Sequence, residues 1–366
     1  MELKSKSMSA KPESEKPLTS HSQCDCLETP CGGSDGNGIR AAVKISAAII
    51  AAVLGVSVAA WLLFRAVFVN IEPPSYQNEF PAMGTVAKVT VYSSENDLVT
   101  ANEICQREFD TVSRICSLYD PESELSRLNA SAASAPFVCS PEMWELLLRS
   151  KQAYIDSDGY FDITVKPLMD LWGFYRQRGK NAPTDMEIAQ TMSVIGFDKL
   201  QFDEKRRTIL FTRPGMALDL GGIAKGYVAD RAAAKIAAAG ICTGVIDIGG
   251  NLRMLPELPP RKDFYRVAVR DPRDRNKVLP EPLKVKANEA VSTSGDYERF
   301  VTYNGKKYGH IISPKDGRPS IVSAVTVIAD TAMDADVFST SCSLGGEALA
   351  EKLRAKYPNI QIYFTR

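Results

Sequence analysis

From Ile45 to Phe64 the chain reads ISAAIIAAVLGVSVAAWLLF, without one charged side chain. About twenty apolar residues are what a helix needs to cross a hydrocarbon core, because each residue advances it by only about 1.5 Å. A helix buried in a soluble core would keep a polar face, and this run offers only two serines and one glycine. A cleaved signal peptide fits poorly, since a long polar segment precedes the run and no small-residue cleavage pattern follows Phe64. No cysteine stands where a lipoprotein signal would require one. The run is therefore expected to be a single transmembrane helix. Arg40 and Lys44 flank its start and Arg65 its end, and with the lysines further upstream the balance favours the tail inside and the body outside.

This span divides the chain. Residues 1–40 are rich in Ser, Lys, Glu, Gly and Pro, a composition that cannot bury enough surface to offset ordering entropy, and are expected to be a flexible tail. Residues 41–69 hold the transmembrane helix, and 70–80, with the sequence NIEPPSYQNEF, read as an extended linker. Residues 81–366 mix alternating strands, such as Val86 to Tyr92 and Val325 to Ala329, with helical stretches, such as Pro141 to Ser157 and Ala224 to Ala239.

Lysine plus arginine (44) equals aspartate plus glutamate (44), and no basic cluster is interleaved with aromatics, so nucleic acid is not expected as a partner. The cysteines show no paired CxxC spacing, and five of them (Cys105, Cys116, Cys139, Cys242 and Cys342) scatter through the body. That odd number argues for buried free thiols rather than a disulfide framework. Cys24, Cys26 and Cys31 lie in the tail, where a reduced disordered segment, a metal and a lipid are all open readings.

The segment Asp219-Leu-Gly-Gly-Ile-Ala-Lys-Gly-Tyr-Val-Ala-Asp230 sets a glycine pair before an Ala-rich helical run that ends at Gly240. Free helix-opening amides, small residues and a lysine one turn in suit a phosphate, although the same glycines also serve a simple tight turn. In the late segment Ala332-Met-Asp-Ala-Asp-Val-Phe-Ser-Thr, Asp336 and Thr340 stand four residues apart and share one helix face. Hard oxygens of that kind suit magnesium; a helix cap or a solvated face is the alternative. His310 is the body's one histidine, beside a Pro/Gly turn, which excludes a multi-histidine zinc centre there. Met83 precedes a strand, Tyr119 lies in a turn before a helix, and Gly159-Tyr-Phe-Asp162 opens a segment ending in Leu171-Trp-Gly-Phe174.

Taken together and in this order, these segments resemble the ApbE-type FAD:protein FMN transferase family. The shared patterns are MGT at Met83, S-x-Y-x-P-x-S-E-x-S-x-L-N from Ser117, GxFDxT from Gly159 and D-L-G-G-x-A-K-G-Y-x-x-D from Asp219. They continue with G-G-N ending at Asn251, TSG-x-Y-x-R from Thr293, a histidine turn at His310 and A-D-x-x-x-T ending at Thr340. The resemblance covers Phe80 to the C-terminus. It implies an α+β fold of two intertwined subdomains with FAD, the substrate, held between them. It sets Met83, Tyr119, Tyr160, Phe161, Asp162, Asp219, Lys225 and His310 against FAD, with the Gly222 carbonyl, Asp336 and Thr340 as Mg2+ ligands. His310 becomes the catalytic base that takes the proton of an acceptor hydroxyl, titrating in the usual histidine range.

The resemblance also implies an acceptor flavoprotein subunit of a membrane redox complex as partner. With the apolar span it predicts a single-pass protein of the inner (cytoplasmic) membrane with its body on the periplasmic or extracytoplasmic side. One turn departs from the family: Ser313 stands where the pattern has aspartate, and Asp316 where it has threonine. Two further readings use the same site, a magnesium-dependent FAD pyrophosphatase and a non-catalytic FAD-binding protein.

Overall fold

The structure, a computed structural model, describes residues 49–63, 74–176, 178–271, 274–295, 299–320 and 324–365. The chain divides into two units, Met1–Ile71 and Glu72–Arg366. In the first, residues 49–63 form a helix whose every residue is exposed. Among the described residues no helix is long and apolar enough to cross a membrane. The rest of the expected span, Ile45 to Ala48 and Phe64, lies outside the described residues, as does the expected tail.

The second unit is α+β. Its frame is a seven-stranded sheet of β1 (Tyr76–Ala82), β2 (Thr85–Val91), β3 (Gly244–Ile248), β4 (Asn251–Met254), β5 (Ala290–Gly295), β6 (Ala324–Ala329) and β7 (Gln361–Thr365). Their order in the sheet is their order in the chain, and every neighbouring pair is antiparallel. The expected linker therefore ends sooner than 80, because Tyr76 already pairs with Val91. Pro73 and Pro74 precede the strand, and Pro81 falls within it because β1 is an edge strand, where a proline is tolerated.

Helices α1 (Glu95–Cys116), α2 (Glu124–Ser131), α3 (Pro141–Asp156), α4 (Lys166–Leu171) and α5 (Asp185–Met192) follow β2, and α6 (Ala224–Ala238) precedes β3. The last, α7 (Ala332–Lys356), bends at Gly346, where φ is +63°. Helices α1, α6 and α7 pack on one face of the sheet. There Val89, Ile246, Ile248, Val325 and Val327 meet Phe109, Ile236 and Phe338 in the main core. Alternate residues such as Leu252, Val291 and Ile328 face a smaller core with Tyr265 and Val285, so β6 is buried along its whole length.

A satellite core joins Leu168, Trp172 and Ile188 to Tyr303 and Ile312. Two stretches far apart in sequence thus build one lobe, and Trp172 Nε1 ties them by donating to the Gly317 carbonyl at 2.8 Å. Cys105, Cys139 and Cys342 are buried, and all five described cysteines are free, as the odd count indicated.

Candidate active site

Most of the helices begin on a serine or threonine whose side chain caps an early amide: Ser94, Ser123, Ser140, Thr184 and Thr331. Each such cap contributes about 1 kcal/mol. Helix α6 begins on Ile223 and has no such bond. Its opening amide at Gly226 is met from another helix: it donates to Asp336 Oδ2 of α7 at 3.2 Å.

That bond requires the two helices to touch. A Cβ on Gly226 would lie 2.4 Å from the Ala332 carbonyl oxygen and 2.5 Å from Met333 Cα, so only glycine allows the crossing. Lys225, one residue earlier, places its Nζ 3.4 Å from Asp336 Oδ1 and 3.0 Å from the Gly221 carbonyl oxygen. Asp336 is 2% exposed. Burial pushes its carboxyl above the usual range, while Lys225 and the Gly226 amide hold it back.

Around this crossing lies a cavity of about 750 Å³. Met83, Tyr119, Tyr160, Phe161, Asp162, Asp219, Gly222, Lys225, His310, Asp336 and Thr340 all line it. Every site residue expected from the sequence therefore reaches one cleft, walled on one side by the main core and on the other by the satellite core.

Several of these positions have a local reason. Met83 (φ +50°) and Gly84 (φ +75°) form the two-residue turn between β1 and β2 with both residues left-handed, which puts a methionine in a strained conformation at the cleft wall. Asp219 closes its own turn by accepting from the Gly221 N–H at 2.8 Å. Its other oxygen accepts from the Tyr175 hydroxyl at 2.8 Å. A Cβ on Gly222 would meet the Phe161 ring at 3.1 Å and Thr340 Oγ1 at 3.6 Å, so the glycine leaves a small cradle between them.

Asp162 lines the cleft, but its carboxylate is engaged within the chain. Oδ1 accepts from Thr164 N–H (2.8 Å) and Oγ1 (2.7 Å), and Oδ2 from Phe197 N–H (3.1 Å). It braces the turn that carries Tyr160 and Phe161.

His310 Nδ1 lies 3.2 Å from the Arg299 carbonyl oxygen. A carbonyl only accepts, so Nδ1 carries the hydrogen and Nε2 keeps its lone pair. Burial, then the charge of Lys225, lowers the imidazole from 6.5 to about 4, and Arg299 also lowers it; only the bond to the Arg299 carbonyl opposes. The ring is therefore a neutral base across the physiological range, and the expected titration in the ordinary histidine range is corrected.

The departed turn lies apart from this geometry. Ser313 Oγ accepts from Lys315 N–H at 3.2 Å and Asp316 Oδ1 from Arg318 N–H at 3.1 Å. Neither lines the cleft. Both close the turn itself. Cys116 does line the cleft, but burial pushes its thiol up to about 12, too high for a nucleophile.

The sequence reading assigned no site role to Tyr175, nor to Arg299, which closes the TSG-x-Y-x-R pattern; both line the cleft. The Tyr175 ring lies 5.7 Å from that of Tyr119, which is 73% exposed, and the Arg299 guanidinium sits 5.0 Å from the Tyr175 ring centre. The aromatic run Leu171-Trp-Gly-Phe-Tyr175 was the available signal, and it read equally well as core.

Among the described residues no cluster of three or more His, Cys, Asp or Glu would hold a metal ion. Beside Gly222 the cleft offers the Asp336 carboxylate and the Thr340 hydroxyl, hard oxygen groups. That set fits magnesium, which keeps water and substrate phosphate in its shell, and fits zinc poorly.

The α+β body thus carries a cleft lined by hydroxyls, carboxylates and aromatics. The profile of the ApbE family matches residues 83–364, and the chain belongs to that family and is a transferase. It is 30% identical over 290 residues to a FAD:protein FMN transferase of Salmonella typhimurium, covering 77% of this chain and 81% of the relative. With a Haemophilus influenzae protein of the same name it shares 29% over 291 residues, 77% and 83% of the two chains. Among solved structures, the ApbE protein of Thermotoga maritima superposes with a TM-score of 0.70 at 28% identity, covering 80% of this chain and 97% of that one. The flavin transferase ApbE of Vibrio cholerae gives 0.69 at 29%, covering 80% and 94%.

Proposed function

We propose that this chain transfers FMN from FAD to a Ser or Thr hydroxyl of another protein and releases AMP. The observation that carries the reading is the meeting of Lys225, Asp336, Thr340 and His310 at one cleft large enough for a dinucleotide. The acceptor oxygen bonds to the FMN phosphorus, the bond from that phosphorus to the AMP oxygen breaks, and the acceptor proton passes to His310 Nε2. A hydroxyl is a poor nucleophile at neutral pH, and a neutral imidazole with a free lone pair supplies what it lacks.

Lys225, in the first turn of α6, binds the pyrophosphate. Met83, Tyr119, Tyr160 and Phe161 hold the rings, and Asp219 keeps the glycine turn in shape. The Gly222 carbonyl, Asp336 and Thr340 would hold magnesium, which when bound neutralises charge on the pyrophosphate as AMP leaves.

Residues 49–63 support a membrane-anchored reading, because an exposed helix of Ile, Val, Leu and Trp has no favourable place in water. The basic flank at Arg40 and Lys44 favours a body on the outer side of the cytoplasmic membrane, facing flavin-carrying subunits of a redox complex.

Mass spectrometry of an acceptor domain incubated with this protein, FAD and magnesium tests the reaction: its mass rises by one esterified FMN. Release of FMN and AMP without acceptor labelling would identify a pyrophosphatase. Tight FAD without turnover would identify a binding protein.

A further inference from the structure

The interface between α7 and the sheet is otherwise apolar, yet it holds a connected row of hydroxyls. Ser292 and Ser294 are two apart on β5 and so point to one face, and Ser339 of α7 sits against both, 3.1 Å from Ser292 Oγ and 2.9 Å from Ser294 Oγ. Ser294 Oγ lies 3.2 Å from Thr340 Oγ1, and Ser292 donates to Asn251 Oδ1. Asn251, Ser292 and Ser339 are at most 3% exposed. Burying so many hydroxyls in a helix-sheet contact costs stability compared with an apolar filling, which marks the row as serving something else. Neighbouring Ser341 merely returns its hydrogen to its own helix at Val337, 2.7 Å away.

We propose that Asn251, Ser292, Ser339 and Ser294 are positioning residues that orient the Thr340 hydroxyl toward a divalent cation in the cleft. The inference rests on the magnesium reading of that site. Its physical basis is the direction of the hydrogens. The side-chain carbonyl of Asn251 only accepts, so Ser292 must donate to it. Ser292 is then left as an acceptor for Ser339, whose hydrogen is shared with the Asp336 carbonyl at 3.0 Å. Ser339 in turn accepts from Ser294, and Ser294 accepts from Thr340. From Thr340 through Ser294 to Ser339 each hydrogen is passed on to the next hydroxyl, and the Thr340 oxygen keeps its lone pairs for the metal; Asn251 and Ser294 also line the cleft. Were Ser294 to donate to Thr340 instead, the Thr340 hydrogen would lose this acceptor and be free to turn toward the cation. Partners of this kind, one step behind a metal ligand, typically change metal affinity by about 10–100-fold.

The test is calorimetric titration of Mg2+ into the full-length, FAD-loaded chain, comparing wild type with Ser294→Ala, Ser339→Ala and Ser294→Thr. Both alanine variants should bind Mg2+ about tenfold or more weakly, while Ser294→Thr, which keeps a hydroxyl, stays near wild type. FAD affinity in chelator should be unchanged, which separates orientation of the ligand from damage to the cleft. The Ser294→Ala, Ser339→Ala double variant should be no weaker than the worse single variant, because both cut one row. Ser294 is only half-buried, so its variant stays informative should Ser339→Ala unfold. Mg2+ affinity within twofold of wild type in a folded alanine variant overturns the proposal. A wild-type chain that binds FAD but no Mg2+ would remove the magnesium reading itself and the row's purpose with it.

Discussion

The Gly226 backbone N–H donates to Asp336 Oδ2 at 3.2 Å, so a carboxylate on one helix completes the open end of another. The bond joins the two segments that the sequence alone left unconnected, the glycine turn before α6 and the acidic face of α7. It also gives Asp336 two tasks, capping a helix in the folded chain and offering an oxygen to the cleft.

Those tasks can be separated. Asp336→Ala should abolish magnesium-dependent transfer and also lose the cap, worth about 1 kcal/mol. Asp336→Asn keeps an oxygen for the Gly226 amide, so it should fold like wild type and still fail to transfer. Activity with and without chelator, beside a melting curve for each variant, checks both halves. Transfer that persists in excess chelator would refute the metal requirement.

Gly226→Ala probes the crossing itself. The new methyl would lie 2.4 Å from the Ala332 carbonyl oxygen, a backbone atom that cannot swing aside. Overpacking of this kind costs about 1–3 kcal/mol, and the helices must part to relieve it. Thermal denaturation should show a midpoint lower by several degrees, and the weakened contact with Asp336 should raise the magnesium requirement of whatever protein remains folded. An unchanged midpoint would show that the crossing yields freely.

A body starting at Glu72 should be soluble and bind FAD, because the apolar helix of residues 49–63 falls in the other unit. The full-length chain should sediment with membranes. Size-exclusion chromatography and the flavin absorbance of the truncated protein are the readouts, and a colourless protein without FAD affinity would sink the flavin assignment. Truncation should stop short of Tyr76, since removing β1 would strip the edge that pairs with β2.

The motifs were legible in the sequence because each is local: a glycine pair before an Ala-rich run, a carboxylate and a hydroxyl one helical turn apart, a histidine beside a Pro/Gly turn. The predicted helix Pro141 to Ser157 matches Pro141–Asp156, and the predicted strand Val325 to Ala329 matches Ala324–Ala329. What escaped depends on pairing across the chain. Tyr175 gains its meaning from Asp219, and Ser294 from Thr340, and neither separation follows a helical or strand period. The strand in the supposed linker was hidden for the same reason, since only β2 makes it one. The turn at Ser313 and Asp316 shows the converse: a departure visible in sequence proved to lie outside the cleft.

His310 supports the most specific prediction, because its environment fixes both its tautomer and its charge. With Nδ1 hydrogen-bonded to the Arg299 carbonyl, Nε2 is the nitrogen left for the acceptor proton. His310→Ala should slow transfer by about a hundredfold or more, the scale of a lost general base, while FAD affinity changes far less. Since burial and Lys225 lower the ring to about 4, the active neutral form is already complete at pH 6.5 and is lost only as pH falls through about 4. The rate profile of wild type should therefore stay flat from pH 8 to 6 and drop below about 5, and His310→Ala should lose that acid limb. Asp316→Ala should transfer nearly as well as wild type, because the Asp316 side chain only closes its own turn onto Arg318. Near-normal transfer by His310→Ala, together with collapse in Asp316→Ala, would show that the base had been assigned to the wrong side of that turn.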